Sequence, residues 1–277
     1  MIKDLIVNLA IGAGRDPARE YALTVADVFQ AHTVGLAFIY DYALPGHVAG
    51  AIPTELAAQA KREYQKAVDA AVEAFHAAAK RSLLSADHIV DTVYERDAPL
   101  ALANAARRFD LSLITQSEPG GANNDRLIEG LLFESGRPVI MVPYIQRDAL
   151  KLERVVCCWD GSRPAARAIN DALPFLTKAG AVELLIVVNE KTKNDDHEIR
   201  GVRMGEHLAR HNIDVEVQTE VAPDIDIAST ILSHVADSSA TMIVMGAYGH
   251  SRVREFILGG ATRGILASMT VPVLMSH

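Results

Sequence analysis

Four glycines bracket one long segment in the second half of the chain. Gly246, Gly249, Gly259 and Gly260 follow the apolar run Met242–Met245. A backbone without a Cβ can turn sharply and lets a phosphate group approach closely. The amides of such a loop, together with the N-terminus of a following helix, form a partly positive cradle for phosphate oxygens. The pattern therefore predicts a phosphate-binding loop.

Other residues of the same segment complete the candidate site. Thr262 offers a hydroxyl donor, and Ala261 is a small residue next to the last glycine pair. His250 and Arg252 lie inside the loop, where they either contact phosphate or face water. We include His250, Ala261 and Thr262 among the candidate binding residues.

An acidic residue ends the first apolar segment of the second half, in the sequence Cys157-Cys158-Trp159-Asp160-Gly161-Ser162. A carboxylate such as Asp160 is chemically suited to bind Mg²⁺. Ser162 is predicted to cap a helix that begins at Pro164. Trp159, the only tryptophan, lies either in the core or in the wall of a pocket.

Several enzymatic signatures are missing. The run Gly12-Ala13-Gly14 has Pro17 where a dinucleotide fingerprint needs its third glycine. The sequence has no phosphate-loop lysine motif and no Gly-x-Ser-x-Gly around Ser162. His207 and His211 have metal-binding spacing but no acidic or cysteine partner nearby, so a solvated face is favoured. We therefore predict no catalytic residue.

The chain repeats one order of elements, because residues 1–142 can be laid over residues 153–277. The predicted elements of the first half are strands 5–7, 34–40, 89–94, 111–115 and 139–142 and helices 17–31, 55–82, 99–109 and 126–134. Those of the second half are strands 154–158, 182–188, 215–220, 242–245 and 271–275 and helices 164–177, 196–211, 225–238 and 255–268.

This order predicts an α/β fold with two repeated doubly wound five-stranded parallel sheets, because strands separated by long helices pair in parallel through right-handed crossovers. The predicted domains are residues 1–145 and 152–277, joined by a short linker. Ligands of such sheets bind beyond the carboxyl ends of the strands, where the strand order switches.

Composition narrows the class of protein. The chain is 49% hydrophobic and 22% charged, as is typical of globular proteins. A net charge of −8 without a dense Lys/Arg cluster argues against nucleic-acid binding. The two adjacent cysteines fit a reducing compartment. No signal-peptide layout and no apolar span of about 20 residues is present, so we expect a cytoplasmic protein that does not bind a membrane.

The glycine spacing resembles the nucleotide-binding signature of the universal stress protein (UspA-type) family, in its ATP-binding branch. The shared pattern is Gly246-x-x-Gly249, nine residues, Gly259, a small residue, a helix and Val-Pro-Val. The resemblance implies a tandem two-domain form with a Rossmann-like, adenine nucleotide alpha hydrolase-like fold. It also implies ATP with Mg²⁺ as ligand and a stress-associated regulatory or sensory role. One departure is Gly260, which stands where the family usually has Ser or Thr.

The resemblance also assigns roles to residues outside the loop. It places Asp160 near the ribose or a Mg²⁺ ion and the adenine at the backbone of about Val187. The first half looks degenerate, because Gln116 and Pro119 stand where the second half has Gly246 and Gly249. When the two halves are superposed, Asp160 of the second half lies opposite Ala10 or Ala13 of the first, depending on how the loop is aligned.

Family analogy further predicts that the two halves pack as an internal pseudo-dimer, with strands 139–142 and 271–275 at or near shared edges, and that a homodimer forms. Two other functions stay open. The duplicated domains could form an interaction scaffold that binds no nucleotide. The chain could also be a weak ATPase, although it shows no evident base or lysine.

Overall fold

A computed structural model of the protein describes residues 1–41, 54–188, 197–221, 226–247 and 260–277. These residues form two units, the first made of Met1–Thr115 and Asn124–Arg137, the second of Gln116–Asn123 and Pro138–His277. The predicted domain bounds, 1–145 and 152–277, stay a prediction. No helix in the described ranges is long and apolar enough to cross a membrane.

Four parallel strands and four helices are described in the first unit. In chain order they are β1 (Asp4–Asn8), α1 (Pro17–Phe29), β2 (His32–Asp41), α2 (Thr54–Arg81), β3 (Ala86–Tyr94), α3 (Ala98–Ala106), β4 (Leu111–Thr115) and α4 (Asp125–Glu134). The strands lie in the order β3-β2-β1-β4. The chain runs from β1 to β2 and β3 and then returns to place β4 on the other side of β1, which is the doubly wound topology.

The second unit repeats this topology with two additional strands. Its elements are β5 (Val139–Val142), β6 (Arg154–Cys158), α5 (Arg163–Leu176), β7 (Ala181–Val188), α6 (His197–Arg210), β8 (Val215–Val221), α7 (Ile227–Asp237), β9 (Met242–Gly246), α8 (Gly260–Ser268) and β10 (Val273–Ser276). The strand order is β5-β10-β9-β6-β7-β8. Five strands are parallel, and β5 pairs antiparallel with β10, where Ile140 lies opposite Leu274.

The α/β fold class and the order of elements are confirmed. The prediction of purely parallel sheets missed the antiparallel pairing of β5 with β10. The internal pseudo-dimer of the two halves stays a prediction, and so does the homodimer of the chain. Residues 255–259 of the predicted helix 255–268 lie outside the described residues.

Two strand starts differ from the prediction for physical reasons. β3 begins at Ala86, three residues early, because it pairs with β2 from Thr33 onward although Asp87 is polar and exposed. β10 begins at Val273, two residues late. Pro272 has no amide hydrogen for a ladder, and its carbonyl instead accepts from the N–H of Ile243 at 3.0 Å.

The strands β5, β9 and β10 of the second unit are buried on both faces. All four residues of β5 and of β10 are buried, as are Met242–Met245 of β9. Both cysteines are free thiols on β6. Burial raises the pKa of the Cys158 thiol to about 12 and that of Cys157 as well. The thiolate, which is the nucleophilic form, is therefore suppressed at neutral pH.

The carboxyl end of β9 packs directly against the beginning of α5. A Cβ on Gly246 would lie 2.5 Å from the carbonyl carbon of Pro164 and closer still to the nitrogen of Ala165. Gly246 is not one of the described glycines that have a left-handed backbone. Glycine is therefore required here for close packing of backbone on backbone, and the sharp turn that the sequence analysis expected at this position is not its reason.

We expect Gly246→Ala to lower the free energy of unfolding by at least about 1 to 3 kcal/mol, the usual cost of overpacking. The clash is with backbone, which cannot move aside as a side chain can. Urea denaturation of the full chain measures the change. Gly260→Ala is the matched control, because no atom lies within 4 Å of its added Cβ. A Gly246→Ala variant as stable as the control would contradict the packing role.

His32 links three strands at the amino-terminal edge of the first sheet. Its Nδ1 lies 2.9 Å from the Asp4 carboxylate and its Nε2 lies 3.1 Å from that of Asp87. Burial lowers the pKa of His32, but the hydrogen bonds to the two carboxylates and their negative charges outweigh burial, so the pKa is raised.

A raised pKa means that protonated His32 stabilises the fold below the ordinary histidine pKa of about 6.5, and that this stabilisation is lost as the pH rises through the raised value. His32→Gln should therefore destabilise the protein more at about pH 6 than at about pH 9. Urea denaturation at both pH values measures this difference. Asp87→Asn should reduce the pH dependence without abolishing it. An equal loss of stability at both pH values for His32→Gln would show that the bridge does not couple folding to pH.

Candidate functional site

The second sheet switches its strand order between β6 and β9. From β6 the chain moves to β7 and β8 on one side, and then returns to β9 and β10 on the other side of β6. β6 and β9 pair in parallel, with Val155 opposite Met242 and Cys157 opposite Val244. Their carboxyl ends therefore meet at one edge of the sheet. This edge is the topological switch point at which doubly wound sheets bind ligands.

Asp160 is held in a tight turn at this edge. The N–H of Trp159 donates to the carbonyl of Leu185 at 2.8 Å, which continues the pairing of β6 with β7. The Asp160 Oδ1 accepts from the N–H of Ser162 at 2.9 Å, and Gly161 between them has a left-handed backbone with φ of 76°. The carboxylate of Asp160 is exposed. The sequence predicted this position but not the glycine-dependent turn that presents it.

The same turn leads into α5. Ser162 accepts from the N–H of Ala165 at 3.3 Å, and Pro164 lies in the first turn of the helix. This confirms the predicted capping role of Ser162. The first turn of α5 is the surface against which Gly246 packs. The loop that carries Asp160 and the end of β9 are therefore fixed to one another.

A polar network anchors the residue that follows β9. The N–H of Ala247 donates to the carbonyl of Ser276 at 2.9 Å, and His277 Nδ1 lies 3.0 Å from the Ala247 carbonyl. Arg167 donates to the carbonyl of His277, and the Ser276 hydroxyl donates to Asp171 at 2.8 Å. Sequence reasoning missed these contacts, because they join α5, β9 and β10 across long separations in the chain.

The first turn of α8 brings three predicted site residues together, namely Gly260, Ala261 and Thr262. The first N–H groups of a helix have no acceptor within the helix, and the dipole makes this end partly positive. Gly260 is exposed, whereas Thr262 is only 3% exposed. The Thr262 hydroxyl is therefore less accessible from solvent than the exposed start of this turn.

The other predicted site residues are placed as follows. Val187 is half-buried near the carboxyl end of β7, opposite Glu220 of β8. Gly249, His250 and Gly259 lie outside the described residues. In the described part of the chain, no group of three His, Cys, Asp or Glu residues could hold a metal ion.

One feature beside Asp160 was missed by sequence reasoning. A shallow cleft of about 340 Å³ is lined by Trp159, Gly161, Arg203, Met204 and His207. The structure thus places Trp159 in a pocket wall, one of the two alternatives that the sequence left open. Positions 203, 204 and 207 share one face of a helix, but only the tertiary structure brings that face to the tryptophan.

The corresponding positions of the first half are occupied by structural contacts. Asp16 is 3% exposed and accepts from the N–H groups of Ala10 at 2.9 Å and Arg19 at 3.0 Å. Burial raises the pKa of this carboxyl, although both hydrogen bonds lower it. Gln116, which stands where the second half has Gly246, is 2% exposed and donates to the carbonyl of Leu266 at 2.7 Å.

Comparison with known proteins matches the second half of the chain to one family. Residues 151–277 match the model of the universal stress protein family. A universal stress protein from Synechocystis sp. is 26% identical over 155 residues, which cover 56% of this chain. The match spans only 50% of that relative, so the chain covers about half the length of the curated protein it resembles.

Solved structures share the fold over the whole chain. A universal stress protein from Archaeoglobus fulgidus has a TM-score of 0.74 at 18% identity, covering 98% of this chain and 97% of that one. A protein of unknown function from Pseudomonas aeruginosa has a TM-score of 0.61 at 15% identity, with 99% and 92% covered. At these identities the likeness shows the fold alone. The match of residues 151–277 to the universal stress protein family model adds a sequence relationship, so this half of the chain resembles that family in both sequence and fold.

Proposed function

We propose that the second half of the chain binds ATP together with Mg²⁺ at the switch point between β6 and β9. The match of residues 151–277 to the universal stress protein family supports a stress association, and we propose that nucleotide binding gives the chain a regulatory or sensory role. The observation that carries the proposal is that the Asp160 turn and the beginning of α8 belong to one edge of the sheet. β9 and β10 are parallel, so the helix that connects them must start at the carboxyl ends of the strands.

The chemistry of this edge suits a nucleotide triphosphate with its cation. Backbone amides at the start of α8 favour phosphate oxygens. Asp160 is a single exposed carboxylate, and its charge repels a triphosphate unless a cation lies between them. Mg²⁺ is commonly held by one or two carboxylates together with substrate phosphates and water. The residues present therefore fit a Mg²⁺ ion shared between Asp160 and the phosphates, which the ion would neutralise when bound.

In the part of the first half that the structure describes, the equivalent positions do not form such a site. Its buried Asp16 is committed to two backbone N–H groups, and the Gln116 side chain is committed to the Leu266 carbonyl. We therefore propose one nucleotide per chain. Isothermal titration of the full chain with ATP should give a stoichiometry near one, and a value near two would contradict the asymmetry.

We expect Asp160→Asn to change the affinity for ATP differently in the presence and in the absence of Mg²⁺. With Mg²⁺ present, ATP should bind roughly tenfold more weakly than to the parent, because a charge-assisted contact worth about 1.5 kcal/mol is lost. With EDTA, the variant should bind ATP at least as tightly as the parent, because the carboxylate then only repels phosphate.

Isothermal titration in both buffers measures the two affinities. Asp148→Asn is the matched control, because this carboxylate is exposed and pairs with Lys151. A variant that binds ATP like the parent in both buffers would remove Asp160 from the site.

We expect Gly260→Ser to tighten ATP binding by about tenfold, since a new hydroxyl donor to a charged phosphate is worth about 1.5 kcal/mol. The position is open, with no atom within 4 Å of an added Cβ, and its φ is not left-handed. Titration calorimetry measures the affinity. Gly260→Ala adds the same Cβ without the hydroxyl and should not tighten binding. Equal affinities for the two variants would place the phosphates away from this turn.

A further inference from the structure

Two histidines meet where α2 packs on the outer strand of the first unit. His76 Nε2, on α2, lies 2.9 Å from His88 Nδ1, on β3. The two rings are nearly perpendicular, with centroids 5.0 Å apart and an interplanar angle of 84°. His88 is exposed and His76 is half-buried, so both imidazoles reach solvent. Neither residue belongs to the unit that carries the proposed nucleotide site.

The packing beneath this histidine pair holds both residues on regular elements. Phe75, which precedes His76, is fully buried. Gly35 of β2 lies opposite His88 in the register of β2 with β3, and a Cβ on Gly35 would lie 2.9 Å from the Phe75 ring. The missing side chain therefore lets α2 approach the sheet closely at this point. The meeting of the two imidazoles depends on the packing of a helix on a sheet, which fixes the backbone beneath each ring.

The spacing of the two nitrogens suits a divalent transition metal, for which imidazole is a common ligand. Two nitrogens 2.9 Å apart, each about 2.0 Å from one ion, subtend an angle of about 90° at that ion. Neighbouring ligands meet at this angle in square-planar and tetragonal sites, which Cu²⁺ and Ni²⁺ prefer. A tetrahedral Zn²⁺ ion would hold the nitrogens about 3.3 Å apart for the same bond length. The geometry therefore favours Cu²⁺ or Ni²⁺.

The ion would take the place of the hydrogen that the two rings share. A neutral imidazole carries one ring hydrogen, which can lie on either nitrogen. With that hydrogen on Nδ1 of His76 and on Nε2 of His88, both facing nitrogens present a lone pair, and neither ring loses a proton. Exchange with solvent permits this change of tautomer, because both side chains reach water. No third His, Cys, Asp or Glu completes such a site among the described residues, so water fills the other positions around the ion.

We propose that His76 and His88 bind one Cu²⁺ ion, and Ni²⁺ more weakly, at the outer strand of the first unit. Cu²⁺ binds more tightly than Ni²⁺ at nitrogen sites in general. The ion replaces the contact between the two imidazoles and links α2 to β3. Because it needs both ligands in place, it stabilises the folded arrangement of the helix on the strand. The site does not depend on ATP binding.

Titration calorimetry of the full chain with Cu²⁺ at about pH 7.5 tests the ligands, because histidine binds metal as neutral imidazole. His76→Gln and His88→Gln should each weaken the tightest site by at least about tenfold, since one imidazole alone lacks a second ligand held nearby. His211→Gln is the matched control. It breaks a second close pair of histidine rings among the described residues, His207 and His211 on α6, whose centroids are 4.9 Å apart. This variant should keep the tightest site.

Native-state hydrogen exchange tests the link between helix and strand, and circular dichroism checks that each variant folds. Ni²⁺ should slow the exchange of the β3 amides in the parent and in His211→Gln, but not in His88→Gln. Equal Cu²⁺ affinities for all variants would show adventitious binding and overturn the proposal. Loss of the tightest site in His211→Gln alone would place the ion on α6 and overturn it as well. Unchanged exchange of β3 with Ni²⁺ bound would refute the link.

Discussion

The contact between Gly246 and the first turn of α5 is the constraint on which the site of this protein depends. Backbone meets backbone there, with room for no side-chain atom. The contact brings the end of β9 to the beginning of α5, whose cap Ser162 is only two residues from Asp160. The pairing of β6 with β9 fixes the register of the two strands, and therefore where they end relative to one another. The contact of Gly246 with α5 fixes how closely the end of β9 approaches the beginning of that helix. The acidic turn and the glycine loop thus begin from fixed positions.

The two halves use similar residue types for opposite purposes. In the first half, the carboxylate that caps α1 is turned inward, where it also binds the loop that follows β1. In the second half, the cap is a serine and the carboxylate is turned outward. The connecting segment spans residues 9–16 in the first half and 159–162 in the second. The longer segment lets Asp16 fold back on Ala10, so the polar group serves the fold and is withdrawn from any ligand.

Most of the fold could be predicted from the sequence, because apolar strands and helix-starting prolines are local signals. Ser162 was correctly predicted to cap a helix for this reason. The antiparallel partner of β10 could not be predicted by periodicity, since a buried four-residue strand carries no sign of its neighbour's direction. The role of Gly246 was misread because a glycine required by packing and one required by a turn look alike in a sequence. Arg203 and Met204 were missed because their meeting with Trp159 depends on how α6 is rotated, a property of the tertiary structure.

The pairing of β5 with β10 has an evolutionary consequence. A strand encoded in the first repeat completes the sheet that carries the candidate site, so deletion of that repeat would uncover the buried edge of β10. Selection can therefore preserve β5 and the packing around it while the loops of the first repeat diverge. Under the function proposed above, the first repeat then acts as scaffold and the second as binding surface. The degenerate loops of the first repeat are then the mark of a division of labour within one polypeptide.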